Sequence, residues 1–489
     1  MWCAISVVCV VWCVFSNIFE FWVGIPALKT SLTHSLSKQF RGIVGSKGLF
    51  TDPADCLPYG YDNSRLQATP AGVLFAEEHD QIVAIVQLCH QHHLPLICRG
   101  KGTGTTGATV PQQGGVVLSL ERMNRILEID VDNRLARVQP GVTNKALQEA
   151  VGAEGFFWPP DPTSAAVCTI GGNLAYNSAG PRAVKYGTPR ENTLGLKAVT
   201  GSGETITTGV NTTKGVVGYD LTRLLIGSEG TLAIITEARL KLTPQAQSKR
   251  TLQASFLDIH AAARAVSAIM RQPVTPCALE FMDGSALEMV RTFSDLHLDQ
   301  AVGALLMIEV DGSEQSIDDE AATVARAADV DGLLEIHTAE TQEEIARLWK
   351  TRKALSPALR NIAPKKINED VVVPVSRIPD LIESLYELSE ESGITIVNFG
   401  HAGNGNIHVN LLLDPDDPKQ LVAGEHCLKS LFKLVLNLGG TLSGEHGIGV
   451  TKQQFIDQEI DPASLNLMRA IKRQFDPHQI LNPGIVFPD

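Results

Sequence analysis

Apolar and polar positions in the first third of the chain alternate in short blocks. Two apolar runs, at residues 72–76 and 94–98, enclose a segment whose apolar residues between 82 and 89 recur at helical spacing. A run, a helix-spaced segment and a second run are typical of a β-α-β unit. Further runs predict strands at 116–120, 126–131 and 135–138, and Thr143 is placed to cap a helix to residue 151.

The middle of the chain is dense in glycine and poor in helical periodicity. Residues 159–187 are predicted to be poor in helix. The segments 196–200 and 204–208 flank Gly201-Ser-Gly203, which predicts a β-hairpin. A long β-branched run at 232–242 ends before Pro244. We therefore expect a domain boundary near residue 245.

Beyond that boundary, longer helices alternate with single strands. The pattern predicts helices at 259–270, 313–328, 340–360, 378–391, 418–437 and 463–474, and strands at 304–310, 371–373, 394–399 and 407–413. Such a rhythm is typical of an α+β domain whose sheet is covered by helices on one face. The predicted organisation is a hydrophobic segment 1–45, a first domain 46–245 and a second domain 246–489.

Composition narrows the function classes. The chain has 489 residues, 44% of them hydrophobic, and a net charge of −13. An acidic balance without a basic stripe makes nucleic acid an unfavourable partner. The nine cysteines include no C-x-x-C pair, so neither a cysteine zinc site nor an iron–sulfur cluster is predicted.

The N-terminal segment has two interpretations. Residues 1–28 contain one charge, Glu20, and are long enough to cross a bilayer as a helix. Lys29, Lys38 and Arg41 follow, which would keep the rest of the chain on the cytoplasmic side. The alternative is an upstream extension of the reading frame that is not translated. The expected location is cytoplasmic, either free or associated with the cytoplasmic face of a membrane.

A glycine loop follows the strand predicted at 94–98. In Arg99-Gly-Lys-Gly-Thr-Gly-Thr-Thr-Gly107, Gly102, Gly104 and Gly107 satisfy G-x-G-x-x-G, but Pro111 follows where a Rossmann site needs a helix. Glycines without Cβ can still bring backbone N–H groups against a pyrophosphate, and a purely structural turn is the other alternative. Two later clusters, Thr169-Ile-Gly-Gly-Asn173 and Ile226-Gly-Ser-Glu-Gly-Thr-Leu232, favour a long ligand that carries phosphates and a ring.

Together these motifs resemble a known family. The three loops resemble the FAD-binding domain of the vanillyl-alcohol oxidase/p-cresol methylhydroxylase superfamily, and so do the segments that flank the second loop, Pro160-Asp-Pro-Thr-Ser164 and Asn177-Ser-Ala-Gly180. The segments Gly400-His-Ala-Gly-Asn-Gly-Asn-Ile-His408, Ser443-Gly-Glu-His-Gly-Ile-Gly449 and Leu481-Asn-Pro-Gly484 resemble its FAD-dependent D-2-hydroxyacid dehydrogenase branch. The resemblance covers residues 50–489. It implies a two-domain fold of the p-cresol methylhydroxylase type, with an α+β substrate domain at the C-terminus.

The resemblance also implies which residues bind FAD. They lie along the pyrophosphate, the isoalloxazine and the adenosine half, with Asn482 at the flavin edge: Arg99, Gly100, Gly102, Thr103, Gly104, Gly107, Pro160, Asp161, Ser164, Gly171, Gly172, Asn173, Gly180, Glu229, Gly230, Thr231, Ile235 and Asn482. Some members of the superfamily attach the flavin to a histidine in the first loop. Residues 100–107 contain no histidine, so dissociable FAD is expected.

The chemistry is expected in the second domain. His401 and His408 stand at the two ends of one tight connection between strands, and Glu445 and His446 lie in a glycine-flanked loop. Two histidines and one carboxylate leave positions open, as a catalytic divalent metal requires. Histidines that merely satisfy backbone groups are the structural alternative. The resemblance implies His401, His408 and Glu445 as ligands of a divalent metal, expected to be zinc, and His446 as the base.

A cation is needed for the substrate carboxylate. Arg352, on a predicted long helix, matches the family's position, and a guanidinium suits a carboxylate best. Lys366 is a second candidate, although the neighbouring Lys365 is equally compatible with the sequence.

The resulting expectation is a flavoenzyme that oxidises a short D-2-hydroxy acid. D-Lactate is the first choice, glycolate the second and D-2-hydroxyglutarate the third. Without iron–sulfur ligands in the chain, electrons must pass to a quinone, a cytochrome, an electron-transfer flavoprotein or an iron–sulfur subunit. Two other classes are a non-catalytic flavin-binding subunit and a nicotinamide-dependent dehydrogenase, which the failed Rossmann context disfavours.

Overall fold

The computed structural model describes residues 31–293, 299–359, 363 and 365–487. Residues 1–30 of the predicted hydrophobic segment 1–45 lie outside the described residues. Residues 34–44 of the same segment form a helix. Of the helices within the described ranges, none combines the length and the apolarity that a bilayer crossing requires.

The first part of the chain folds around two main sheets. Its strands are β1 Leu49–Phe50, β2 Gly72–Phe75, β3 Leu96–Arg99, β4 Val116–Ser119, β5 Ile126–Asp130, β6 Leu135–Val138, β7 Phe156–Phe157, β8 Thr193–Thr200, β9 Thr205–Gly209, β10 Ala233–Lys241 and β11 Thr243–Pro244. Its helices are α1 His34–Val44, α2 Pro53–Cys56, α3 His79–Gln91, α4 Asn144–Gly152, α5 Ile170–Tyr176, α6 Ala183–Tyr186 and α7 Leu221–Leu225.

The two sheets differ in the direction of their strands. The first has the order β1-β2-β4-β3, in which β4 pairs in parallel with both β2 and β3. The second is antiparallel, with the order β5-β6-β10-β8-β9. The parallel pairs confirm the predicted β-α-β unit, because α3 connects β2 to β3 across the intervening strand. The glycine loop therefore starts at the carboxyl end of β3.

The second part of the chain is built on one large sheet. Its strands are β12 Ser248–Phe256, β13 Ala278–Met282, β14 Ala304–Gly312, β15 Leu333–Thr338, β16 Lys365–Val372, β17 Thr395–His401 and β18 Asn406–Leu413. Its helices are α8 Ile259–Arg271, α9 Gly284–Phe293, α10 Ile317–Ala328, α11 Gln342–Ala358, α12 Ile378–Ser392, α13 Pro418–Asn437, α14 Ile456–Glu459 and α15 Pro462–Phe475. The seven strands have the order β15-β12-β14-β13-β17-β18-β16, and all neighbours are antiparallel.

The two faces of the seven-stranded sheet have different chemistry. Alternate residues such as Phe281, Ile308 and Val409 join one buried apolar cluster with residues of α8, α10, α12 and α13. The intervening residues, among them Glu280 and His408, point to the other face. This face carries buried polar side chains and also a second apolar cluster, in which Leu305 and Phe399 pack with residues of α9 and α11. The α+β class predicted from the sequence is confirmed.

Several elements differ from the sequence-based predictions. Residues 159–187 are predicted to be poor in helix, and two short helices, α5 with 7 residues and α6 with 4, form there. The hydroxyl of Thr169 accepts a hydrogen bond from the Gly172 N–H at 3.3 Å, and Asn177 ends α5 with φ +55°. The acidic helix begins at Ile317 instead of 313, because the hydroxyls of Ser313 and Ser316 hydrogen-bond to each other in a turn at 2.8 Å. β12, β13, β15 and α9 were not predicted.

Candidate active site

Four neighbouring strands of the large sheet place polar side chains side by side. In the ladder, Glu280 on β13 lies opposite His401 on β17, and Asp370 on β16 lies opposite His408 on β18. Residues directly opposite in an antiparallel pair have Cβ atoms within about 5.5 Å. The register therefore brings the two histidines predicted as ligands between two acidic residues.

The three predicted metal ligands come together in space. One donor atom each from His401, His408 and Glu445 lies within 4.8 Å of the others. The Oε1 atom of Glu445 is 3.7 Å from Nε2 of His401 and 3.8 Å from Nε2 of His408. Its second oxygen accepts a hydrogen bond from the Gly180 N–H at 2.9 Å, which ties the loop to the first domain. In the described residues this is the one group of three with such geometry.

The protonation of the two histidines differs. Burial lowers the pKa of His408 to about 3, and the positive charge of His401 adds to this effect. Burial also opposes the charged form of His401, but the carboxylates of Glu280 and Glu445 raise its pKa to about 10. His408 is thus neutral at pH 7, as a metal ligand must be. His401 carries a proton in the metal-free arrangement that a bound cation would displace.

Glu280 is a site residue that the sequence analysis missed. Its Oε1 atom lies 2.6 Å from Nδ1 of His401, and its Oε2 atom lies 2.7 Å from the guanidinium of Arg352. The side chain is 1% exposed. A single glutamate inside the apolar sequence Ala278-Leu-Glu-Phe-Met282 was the available signal, because a buried strand seldom carries an unpaired acid.

His446 lies beside His408, with its Nδ1 atom toward Asp370. Its Nδ1 atom is 3.5 Å from Oδ1 of Asp370 and makes no hydrogen bond, and its ring stacks on that of His408 with centroids 5.4 Å apart. Adjacent side chains usually diverge, and here Glu445 turns to the histidine pair while His446 turns toward Asp370. The geometry is compatible with separate roles for these two neighbours.

Asp370 organises the loop that carries Glu445 and His446. One of its oxygens accepts hydrogen bonds from the N–H groups of Gly444, Glu445 and His446, at 2.9, 2.6 and 3.0 Å. The other accepts from the ammonium of Lys452 at 2.9 Å. Burial disfavours the ionised form, but His446, Lys452 and the backbone donors together hold the pKa of Asp370 well below its usual value. Its anion therefore persists in a fully buried position.

The strand register separates the two lysines that the sequence left as alternatives. Residues two apart on a strand share a face, so Lys366 lies on the face of Asn368 and Asp370. Lys365 shares the opposite face with Ile367 and Val371, which belong to or pack against the apolar cluster. The alternation favours Lys366 as the residue on the site face. Its role in catalysis stays a prediction.

The glycine loops of the first domain border the same space. A cavity of about 1140 Å³ extends from the first loop to His401, His408, Glu445, His446 and Arg352, and a smaller one of about 60 Å³ adjoins Cys98 and Asn482. Thirteen of the predicted FAD-binding residues line one or both: Gly100, Gly102, Thr103, Gly104, Asp161, Ser164, Gly171, Gly172, Asn173, Glu229, Gly230, Ile235 and Asn482. Arg99, Gly107, Pro160, Gly180 and Thr231 line neither.

Two residues predicted to bind FAD have clear structural partners. The guanidinium of Arg99 donates to the carbonyl oxygens of Tyr61 at 2.7 Å and Pro58 at 3.2 Å. The carboxylate of Glu229 accepts hydrogen bonds from the N–H groups of Ile448 at 2.7 Å and Gly449 at 2.9 Å. Glu229 thus connects the first domain to the loop of His446, and contact of either residue with FAD stays a prediction.

The walls of the two cavities fit FAD because glycine residues and amide side chains line them. At Gly104, a Cβ atom would come within 2.7 Å of the Tyr176 hydroxyl, so the close approach of the loop to its neighbour requires glycine. Asn482 accepts from the Cys98 N–H at 2.8 Å and donates to the Glu229 carbonyl at 2.7 Å, which returns the C-terminal segment to the first domain. The first glycine loop and α5 thus border both cavities, and Asn482 of the tail borders the smaller one.

Comparisons with known proteins agree with this architecture. Residues 70–209 match the family described as an FAD binding domain, and residues 245–486 match the C-terminal domain of FAD linked oxidases. The glycolate oxidase subunit GlcD of Bacillus subtilis is 37% identical over 93% of this chain and 97% of its own length. The D-lactate dehydrogenase of Archaeoglobus fulgidus is 39% identical over 83% and 89%, respectively. The structure of p-cresol methylhydroxylase superposes with a TM-score of 0.75 and 18% identity, covering 94% of this chain and 98% of that one.

Proposed function

Because this chain belongs to the FAD-linked oxidases and catalyses FAD-linked oxidation of a 2-hydroxy acid, we propose that its substrate is a short D-2-hydroxy acid, D-lactate, converted to pyruvate. The observation that carries this proposal is the convergence of His401, His408, Glu445, His446 and Arg352 on one cavity that reaches the glycine loops. Glycolate is the alternative substrate, and D-2-hydroxyglutarate is the third choice.

The charges around the cavity favour a monocarboxylate. Five lysine and arginine side chains line it, and each has a carboxylate oxygen within 4.0 Å: Lys101, Arg182, Lys249, Arg250 and Arg352. Arg352 already has Glu280 as a partner, so a substrate carboxylate must share its guanidinium, and a second carboxylate, as in D-2-hydroxyglutarate, would have to share a further paired cation. Lactate and glycolate carry only the carboxylate that Arg352 is proposed to bind. Lys366, which lines neither cavity, stays the second candidate cation from the sequence.

Each site residue has a separate role in the proposed reaction. Arg352 orients the substrate carboxylate through its guanidinium. His446 accepts the proton of the substrate hydroxyl, and Asp370 on its other side stabilises the imidazolium that forms. His401, His408 and Glu445 hold a divalent cation, with zinc as the expected ion, because two imidazoles and a carboxylate leave open positions. When bound, FAD would supply the acceptor for the hydride that leaves C2, and the cation would supply positive charge beside the hydroxyl.

The electrons must then leave the chain. Relatives named as oxidase subunits support a partner protein as the acceptor or its carrier. A quinone, a cytochrome, an electron-transfer flavoprotein and an iron–sulfur subunit fit this need.

We propose a cytoplasmic location, free or at the cytoplasmic face of a membrane. We also propose the domain limits 46–245 and 246–489.

Anaerobic mixing with substrate tests the proposal. The FAD-loaded chain is mixed with D-lactate, L-lactate, glycolate or D-2-hydroxyglutarate, and flavin absorbance is followed with and without a chelator. We expect D-lactate to bleach the flavin and chelation to abolish the bleaching. Reduction by glycolate alone would change the substrate assignment. Oxidised flavin in all mixtures with metal present would instead indicate a non-catalytic flavin-binding subunit.

A separate prediction concerns the attachment of the flavin. Residues 100–107 contain glycine, lysine and threonine but no histidine to form a covalent bond. We therefore expect acid precipitation of the holoprotein to leave all flavin fluorescence in the supernatant. The same measurement on a protein with a covalently bound flavin is the positive control for retention. Fluorescence that stays with the washed pellet would contradict dissociable FAD.

A further inference from the structure

Glu280 connects the two groups that the proposed function assigns to different parts of the substrate. One carboxylate oxygen contacts Nδ1 of His401, a proposed metal ligand, and the other contacts Arg352, the proposed partner of the substrate carboxylate. We propose that Glu280 is a positioning residue that fixes the separation of these two groups and thereby selects acids with the hydroxyl on C2. This inference rests on the proposed function.

The contact with His401 sets the direction of the imidazole. Nδ1 faces Glu280 at 2.6 Å, while Nε2 faces Glu445 at 3.7 Å, on the side of His408. A carboxylate on one ring nitrogen keeps the proton there and leaves the other nitrogen free to bind a cation. Because Glu280 and His401 are opposite in the ladder between β13 and β17, the backbone itself holds this pair together.

The contact with Arg352 sets the place of the guanidinium. Arg352 comes from α11, which is not part of the sheet, and its guanidinium lies over the ring of Phe399 at 4.9 Å and against Glu280 at 2.7 Å. Both contacts are with strands that carry or adjoin the histidines. The guanidinium of Arg352 is thus held in place by the same carboxylate that orients His401.

This arrangement has a consequence for selectivity. In a 2-hydroxy acid the hydroxyl and the carboxylate are on adjacent carbons, whereas a 3-hydroxy acid separates them by one more carbon. Because the distance between His401 and Arg352 is fixed, only one of these two spacings lets the hydroxyl and the carboxylate of a substrate reach their binding groups at the same time. Misplacement of a reacting group by about 1 Å can cost about 100-fold in rate. Loosening the arrangement should therefore reduce the discrimination between the two classes.

The test compares Glu280→Gln with the wild type. A glutamine can accept from His401 or from Arg352 through its one carbonyl oxygen, but it places an amide N–H₂ against the other. We expect the affinity of the FAD-loaded chain for zinc alone, measured by calorimetry, to fall by about 10–100-fold. The ratio of kcat/KM for D-lactate to that for D-3-hydroxybutyrate should fall by about 10-fold or more. Glu280→Asp, which is too short to reach both partners, should also lower this ratio.

Asp283→Asn is the matched control. Asp283 is a buried carboxylate directly after β13 that lines neither cavity, and it accepts hydrogen bonds from the Ala286 N–H at 2.8 Å and the Asn398 side chain at 2.9 Å, not from His401 or Arg352. We expect this variant to retain the zinc affinity and the substrate ratio. Flavin content and thermal midpoint show whether each variant is folded.

The outcomes separate this inference from the proposed function. If wild-type and Glu280→Gln proteins bind zinc equally, or if zinc does not bind the wild type, positioning of His401 by Glu280 is overturned. An unchanged substrate ratio overturns the selection of C2 acids. If the wild type oxidises none of the 2-hydroxy acids, the proposed function fails, and the zinc titration still decides the role of Glu280 toward His401.

Discussion

Replacement of His446 by glutamine should lower the rate of flavin reduction by D-lactate by about 10²–10⁴-fold, the usual contribution of a general base. Glutamine keeps much of the volume and polarity of the imidazole but cannot take a proton at neutral pH. The ring of His446 lies beside Asp370 and His408 and makes no hydrogen bond that holds the loop through Nδ1. We therefore expect FAD content to be unchanged. Anaerobic stopped-flow absorbance measures the effect.

His337→Gln is a suitable control for this experiment. His337 is exposed on β15 of the same domain, pairs with Glu344 at 2.5 Å and does not line the cavity. Its substitution should leave the reduction rate within about twofold, as expected for surface changes. A rate for His446→Gln within a few-fold of the wild type would show that another group takes the hydroxyl proton.

The second large effect is expected for Asp370→Asn. Removal of one partner from a buried ion pair typically costs about 3–5 kcal/mol, because the other charge remains buried. Here Lys452, 1% exposed, would keep Glu369 at 3.0 Å as a partner, so the loss should lie toward the lower end of that range. Urea denaturation of the FAD-loaded protein, followed by far-UV circular dichroism, gives the change in the free energy of unfolding. We also expect slower flavin reduction, because the loop of His446 loses its anchor.

Asp380→Asn provides the comparison for this stability measurement. Asp380 forms an exposed pair with Arg377 on the first turn of α12 at 2.9 Å. Exposed pairs contribute about 0–1 kcal/mol, so little change is expected. An equal loss for Asp370→Asn and Asp380→Asn would contradict the assignment of Asp370 as the anchor of the loop.

The pH dependence of this effect has a definite sign. The pKa of Asp370 is lowered in the folded state from 3.8, so its ionised form stabilises the fold at pH values above about 4. This stabilisation is lost as the pH falls through that value, because the unfolded chain takes up a proton that the folded chain resists. The advantage of the wild type over Asp370→Asn should therefore be full at pH 7 and shrink below pH 4. An advantage that stays constant on acidification would contradict a depressed pKa.

Contacts between the domains hold the loop that carries Glu445 and His446. The N–H of Gly180 binds Glu445, and the carboxylate of Glu229 binds Ile448 and Gly449. At another point, Lys185 of α6 pairs with Asp311 of β14 at 2.6 Å. The loop with Glu445 and His446 is thus held by Asp370 from one domain and by Glu229 and Gly180 from the other.

Much of the fold follows from local patterns in the sequence. Apolar runs and helical spacing predicted β2, α3 and β3, and the strands that bring His401 and His408 to the ends of one tight turn. These strands were predictable because each contains a run of buried apolar residues, and α3 was predictable because its apolar residues recur at helical spacing. Strands such as β13 and β16 were missed or shortened because acidic and basic residues interrupt their apolar pattern.

Sequence reasoning alone identified the glycine loops, the tight turn between the two histidines and the neighbouring pair Glu445 and His446, because each is encoded within a few adjacent residues. The folded chain was needed to show that Glu280 and Asp370 flank these groups, that Lys366 lies on the face of Asn368 and Asp370, and that Glu229 reaches the loop of His446. These relations depend on strand register and on the meeting of two domains. Residues 121 positions apart in the chain, such as Glu280 and His401, become neighbours only when the ladder forms, and local propensity carries no information about such pairing.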